Sequence, residues 1–155
     1  MLTEEEWLDR LMIEGQNLKR EQPTFRRVRG SWTHWRGEIL GSGIYEGGVF
    51  LVEIIIPREY PFKPPRVRWI TPTWHSNIFN QNICIGILGK DWTPVNSLVD
   101  LVESLRFLLT NPNPDDPLNT TAAKQQKTNP NEYIQRAKAY VERYATWDQA
   151  EKLDE

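Results

Sequence analysis

One side chain in this sequence can act as a soft nucleophile. Cys84, the only cysteine among 155 residues, lies in the stretch 82–92, NICIGILGKDW. A thiolate attacks carbonyl carbon and forms a thioester, so an accessible lone cysteine has covalent chemistry open to it. Free cysteine otherwise packs as a small hydrophobe and is among the most buried residue types. The surroundings favour the chemical use. Asn77, Asn80, Gln81 and Asn82 precede Cys84, Gly86 and Gly89 follow it, and Ile83, Ile85 and Ile87 could anchor the loop while the thiol stays accessible. A cysteine hydrolase would pair the thiol with a base, and His75 is the obvious partner. An acyl carrier would instead need its thioester to outlast water until an amine arrives, and spacing does not choose between the two.

Composition narrows the setting. With one cysteine, no internal disulfide or cysteine metal cluster can form, and His34 and His75 are the only imidazoles, so no metal site is expected. The start, MLTEEEWLDR, is acidic where a secretion signal would be basic, and no apolar run approaches the roughly 18 residues of a membrane span. The expectation is a soluble protein of a reducing, cytoplasmic compartment with no membrane partner. A net charge of −2 gives no reason to expect nucleic acid as a partner. The basic run Arg26, Arg27, Arg29 reads as a solvated loop.

Several elements must position the cysteine. From Thr3 to Arg20, Trp7, Leu8, Leu11, Met12 and Leu18 recur at spacings of three and four, which predicts an amphipathic helix stopped by Pro23. Aromatic and β-branched residues then predict strands at 32–40, 49–56 and 66–70, with GSGIYEGG as the turn between the first two. PREYPFKPP is rigid irregular chain holding Phe62. Residues 71–96 show no period and read as a long ordered loop. Leu98, Leu101, Val102, Leu105, Leu108 and Leu109 form the stripe of a central helix, which NPNPDDPL ends. Asn129, Pro130 and Glu132 stand as N-cap, first helical residue and third helical residue of a last long helix. This order gives an α+β fold with helices segregated from an antiparallel meander of three or four strands, as one domain over 1–155.

Six segments in order, YEGGVF, YPFKPPRV, His75-Ser76-Asn77, NICIGIL, DWTP and NPNPDDPL, resemble the ubiquitin-conjugating enzyme family from the first helix to about Ala145. The resemblance implies a four-stranded sheet with a long active-site loop. It implies that Cys84 accepts the C-terminal glycine of ubiquitin or a ubiquitin-like modifier as a thioester from an activating enzyme and passes it to lysine on protein substrates. Asn77 would stabilise the oxyanion or the loop around it, Asp116 would orient and deprotonate the lysine, and His75 becomes structural rather than a base. Phe62, Pro94 and Val95 would face a ubiquitin ligase, of the RING type. No metal or organic cofactor is implied, because the activating enzyme consumes the ATP.

The sequence also departs from the family pattern. Ser76 replaces a proline, which predicts a looser turn before Asn77, and His75 to Cys84 spans nine positions where ten are common. Gly86 stands where an acidic or polar residue is common, and Glu4, Glu5 and Glu6 open a helix that is usually basic. These features mark a divergent member whose activating enzyme should present an altered surface. The alternative function is a non-catalytic binding module of the same fold, against which Cys84, Asn77 and Asp116 all speak. The tail 146–155 is compatible with a short helix or a frayed end.

Overall fold

The computed structural model describes residues 1–155. Helix α1 (Glu4–Glu21) starts on a capping box in which Thr3 and Glu6 satisfy each other's backbone donors. Its buried face runs through Leu11, Glu14, Gly15 and Leu18, while Leu8 and Met12 are exposed, so the core-facing stripe is narrower than the sequence pattern and includes a carboxylate. Gly15 is required there, since a Cβ would stand 2.6 Å from the Trp35 ring and 2.7 Å from that of Trp32.

Four antiparallel strands follow as a meander: β1 (Arg26–Arg27), β2 (His34–Leu40), β3 (Val49–Ile55) and β4 (Arg66–Trp69). The first of them takes Arg26 and Arg27 from the arginine run read from sequence as loop, and Arg29 follows in a 3-10 turn. Arg26 pairs with Arg36 and Arg27 with Trp35, which charge patterning alone does not reveal. In β2 and β3, Trp35 opposes Ile54, Gly37 opposes Val52 and Ile39 opposes Phe50, and this face meets the helices. The Phe25 ring lies over Gly37, in the space a Cβ would take.

The stretch 71–96 is not structureless. It contains a hairpin, β5 (Ile78–Phe79) with β6 (Asn82–Ile83), turned through Asn80 and Gln81, both at positive φ, followed by a single 3-10 turn at Gly86–Leu88. A two-residue turn with both φ values positive is the favoured hairpin geometry, and Asn-Gln is a weak signal for it compared with Asn-Gly.

Helix α2 (Leu98–Thr110) begins on a Ser97/Asp100 capping box and buries the predicted leucine stripe. Helix α3 (Thr120–Thr128), which the sequence reading did not single out, is capped by Asn119. Helix α4 (Pro130–Tyr144) has Asn129 as its cap, and α5 (Trp147–Leu153) forms from the tail. A core cluster of 24 buried residues draws on α1, the sheet, α2, α3 and α4. The outer face of the sheet is covered by α5, which packs on β3, buries Ala150 and ends with Asp154 paired to Arg26 and Arg36.

Candidate active site

The site is assembled from the loop before β5, the turn after β6 and the segment between α2 and α3. His75 is wholly buried. Its Nδ1 accepts from the Asn77 amide at 2.9 Å, which leaves the proton on Nε2 to be donated to the Leu108 carbonyl at 2.8 Å. Burial holds its pKa down at about 4, against the opposing pull of the Leu108 and Leu109 carbonyls, so the ring is neutral at pH 7. With both nitrogens engaged, His75 has no lone pair free for a thiol. The hydrolase pairing read from spacing alone is therefore absent, and the ring instead ties the site to the end of α2.

Asn77 is buried and fully used. Its Nδ2 donates to the carbonyls of Asn113 and Asp116, each at 2.9 Å, and its Oδ1 accepts from the Asn113 amide at 2.7 Å. These bonds fasten the 113–116 segment beside the cysteine, whose own amide donates to the Asn77 carbonyl at 2.9 Å. Both amide protons of Asn77 are engaged in these bonds to the 113–116 segment.

The turn at Ser76 is not loose. In place of a fixed proline ring, the buried Ser76 hydroxyl donates to Gln126 Oε1 of α3 at 2.6 Å. The Ser76 carbonyl accepts from the amides of Leu118 and Asn119 at 2.9 and 3.0 Å. Three hydrogen bonds replace a covalent restraint.

Cys84 is half-buried, and its thiol points at the exposed Asp116, with Sγ 3.9 Å from Oδ2. Burial pushes the thiol up, and the charge and hydrogen bond of Asp116 push the same way. In the resting state the thiol is thus kept protonated rather than activated. At Gly86 the space of a side chain is filled by the Asp91 carboxylate, which a Cβ would overlap. The departure at position 86 therefore brings a different acid to nearly the same place. An open groove of about 640 Å³ begins at Ile85, the residue after the cysteine, and lies between Ile85, Ile87 and Asp91 on one side and Asn96, Glu103 and Phe107 on the other. Phe107 is largely exposed.

Phe62, Pro94 and Val95 are not at this site. Phe62 and Val95 are 52% and 87% exposed, and their two loops are joined where Trp92 Nε1 donates to the Pro61 carbonyl at 2.7 Å. Sequence reading missed the group beneath them, Arg10, Glu14 and Tyr60. The available signal was Glu14 itself, which lies three residues after Leu11 and four before Leu18 on the apolar stripe of α1.

Arranged this way, the site sets a lone thiol against a carboxylate next to an open groove, with the His75 imidazole engaged elsewhere. Residues 10–141 match the family model described as ubiquitin-conjugating enzyme. Among solved structures, the E2 domain of a Toxoplasma gondii ubiquitin conjugating enzyme is similar, with 33% identity and a TM-score of 0.83 over 90% of this chain and 99% of that one.

Proposed function

Since the chain belongs to the ubiquitin-conjugating enzyme family, we propose that it carries ubiquitin or a ubiquitin-like modifier as a thioester on Cys84 and transfers it to a lysine amine. In this reading residues 1–155 act as one conjugating unit. The Cys84 sulfur attacks the thioester carbonyl of a modifier carried by an activating enzyme. The Cys84–acyl bond forms, and the activating enzyme's thiol leaves. A substrate lysine then attacks the same carbonyl, the C–N bond forms, and the Cys84 sulfur leaves.

The observation that carries this reading is the pairing of Cys84 with Asp116 while His75 is turned away. Free lysine has a pKa of about 10.4 and is nearly all ammonium at neutral pH. Asp116 gives that ammonium a partner 3.9 Å from the sulfur and a place for its proton. The same carboxylate opposes the thiolate, an opposition that ends once the sulfur is acylated and uncharged. The imidazole of His75 is withheld from the thiol, which supports a carrier over the cysteine–histidine hydrolase arrangement. The open groove supports a role in holding the extended tail that ends in the acyl group.

Asn77 contributes by holding segment 113–116 in register with the thiol, and His75 by fastening Asn77 to α2. Phe62, Pro94 and Val95 form the face for a RING-type ligase, where exposed apolar groups on proline-braced loops lose little entropy on docking. The test is incubation with ATP, an activating enzyme and its modifier, followed by nonreducing electrophoresis. The expected product is an adduct cleaved by thiol reductant, replaced in Cys84→Ser by a reductant-resistant oxyester or by nothing. Noncovalent modifier binding with no adduct from any activating enzyme would transfer the assignment to a binding module.

A further inference from the structure

We infer that Arg10 and Glu14 are positioning residues that set the two loops of the ligase-facing surface from beneath. The inference rests on the assignment of Phe62, Pro94 and Val95 to that surface. Glu14 is 7% exposed, yet its carboxylate receives three donors from three different parts of the chain. Oε1 accepts from the Tyr60 hydroxyl and from the Leu98 amide, the latter at 2.9 Å, and Oε2 accepts from Arg10 Nε. Tyr60 lies two residues before Phe62, and Leu98 opens α2.

Arg10 completes the junction. Its Nη2 donates to the carbonyls of Pro94 at 2.8 Å and Asn96 at 3.3 Å, and its guanidinium lies over the Tyr60 ring at 5.6 Å. Both exposed loops therefore hang from one ion pair on α1. Helix stabilisation does not explain the pair, because a cation N-terminal to an anion at i,i+4 is the less favourable order along a helix. Burying a carboxylate is costly unless each lone pair is used, and here the N-terminus of α2 adds its positive end to the ion pair. The arrangement is consequently sensitive to charge and shape together. Glutamine at position 14 would offer one oxygen to three donors and set its own N–H against another.

The first test reads position directly. Amide hydrogen exchange is measured on the full chain with Glu14→Gln and, as a second variant that removes the contacts to the Pro94 and Asn96 carbonyls, Arg10→Ala. The expected result is faster exchange at Phe62, Lys63, Asn96 and Leu98, whose amides are hydrogen-bonded, with β2 and β3 protected as before. Unchanged exchange at those amides, or acceleration spread over the sheet, would overturn the inference.

The second test reads the consequence, using as probe a RING domain selected for measurable binding to the unaltered chain. Starting from the preformed Cys84 thioester, both variants should need about fivefold more RING domain for half-maximal stimulated discharge to lysine, as loss of roughly 1 kcal/mol implies. Phe62→Ala is run beside them. If Phe62→Ala weakens the RING response and the α1 variants do not, the positioning role fails and the surface stands. If Phe62→Ala has no effect, the surface assignment fails, and this inference with it.

Discussion

In the unloaded chain burial pushes the Cys84 thiol up and the neighbouring charge of Asp116 adds to it. The resting thiol is therefore kept protonated, and in the proposed reaction Asp116 would work against the first half-reaction while serving the second. Asp116→Asn separates the two effects, because its exposed side chain makes no hydrogen bond other than that with the thiol, and the bond that holds the segment uses its main-chain carbonyl. Alkylation of Cys84 at pH 7 should become faster in this variant, since the thiolate fraction rises. Discharge from a preformed thioester to free lysine should slow, on the order of a hundredfold for a lost proton acceptor. Equal alkylation rates in the two proteins would show that the carboxylate does not act on the thiol.

At the scale of elements, the helix starts were written locally. Thr3, Ser97 and Asn129 each cap a helix through bonds spanning three residues, so the sequence alone carries them. The tail was open to two readings because a seven-residue helix has little stability of its own. Tertiary contact decides it. Ala150 packs out of solvent over the outer sheet face, where Val49 and Leu51 are buried, and the Asp154 carboxylate, held below the usual range by Arg26 and Arg36 against the effect of burial, closes the end. Asp154→Ala should cost at most about 1 kcal/mol, because these ion pairs are partly exposed. Deleting residues 146–155 should cost more, about 2 to 4 kcal/mol, by uncovering Val49 and Leu51. Denaturant melts of the two variants give the comparison, and equal small losses would mean that α5 rides on the sheet without supporting it.

For the whole molecule, a core cluster shared by α1, the sheet and α2 to α4 predicts one cooperative transition, with tryptophan fluorescence and far-ultraviolet dichroism coinciding. Two separated transitions would argue for independently folding parts. The pH dependence has a definite sign. His75 is depressed to about 4 from 6.5, so the unfolded chain binds the extra proton, and the stability from the neutral buried ring is complete above about pH 6.5 and declines as pH falls toward 4. Glu53 enters later: burial opposes its charge, hydrogen bonds from Arg36, His34 and Arg68 prevail and hold it at about 2, and its contribution fades from about pH 4.5 toward 2. Denaturant midpoints at pH 7 and pH 5 should therefore differ, and an unchanged midpoint would contradict the tied-off histidine. The sequence by itself determined the helix caps, the leucine stripe of α2, the β-rich middle and Cys84 as the one thiol of the chain, since each rests on residue type or on spacings within a turn or two. Only the tertiary structure decided that Asp116, 32 residues from Cys84, faces the thiol, that both nitrogens of His75 are engaged, that Ser76 is fastened by hydrogen bonds, and that Glu14 joins two distant loops. Those pairings depend on where the packed core brings remote segments together, and no local period encodes that.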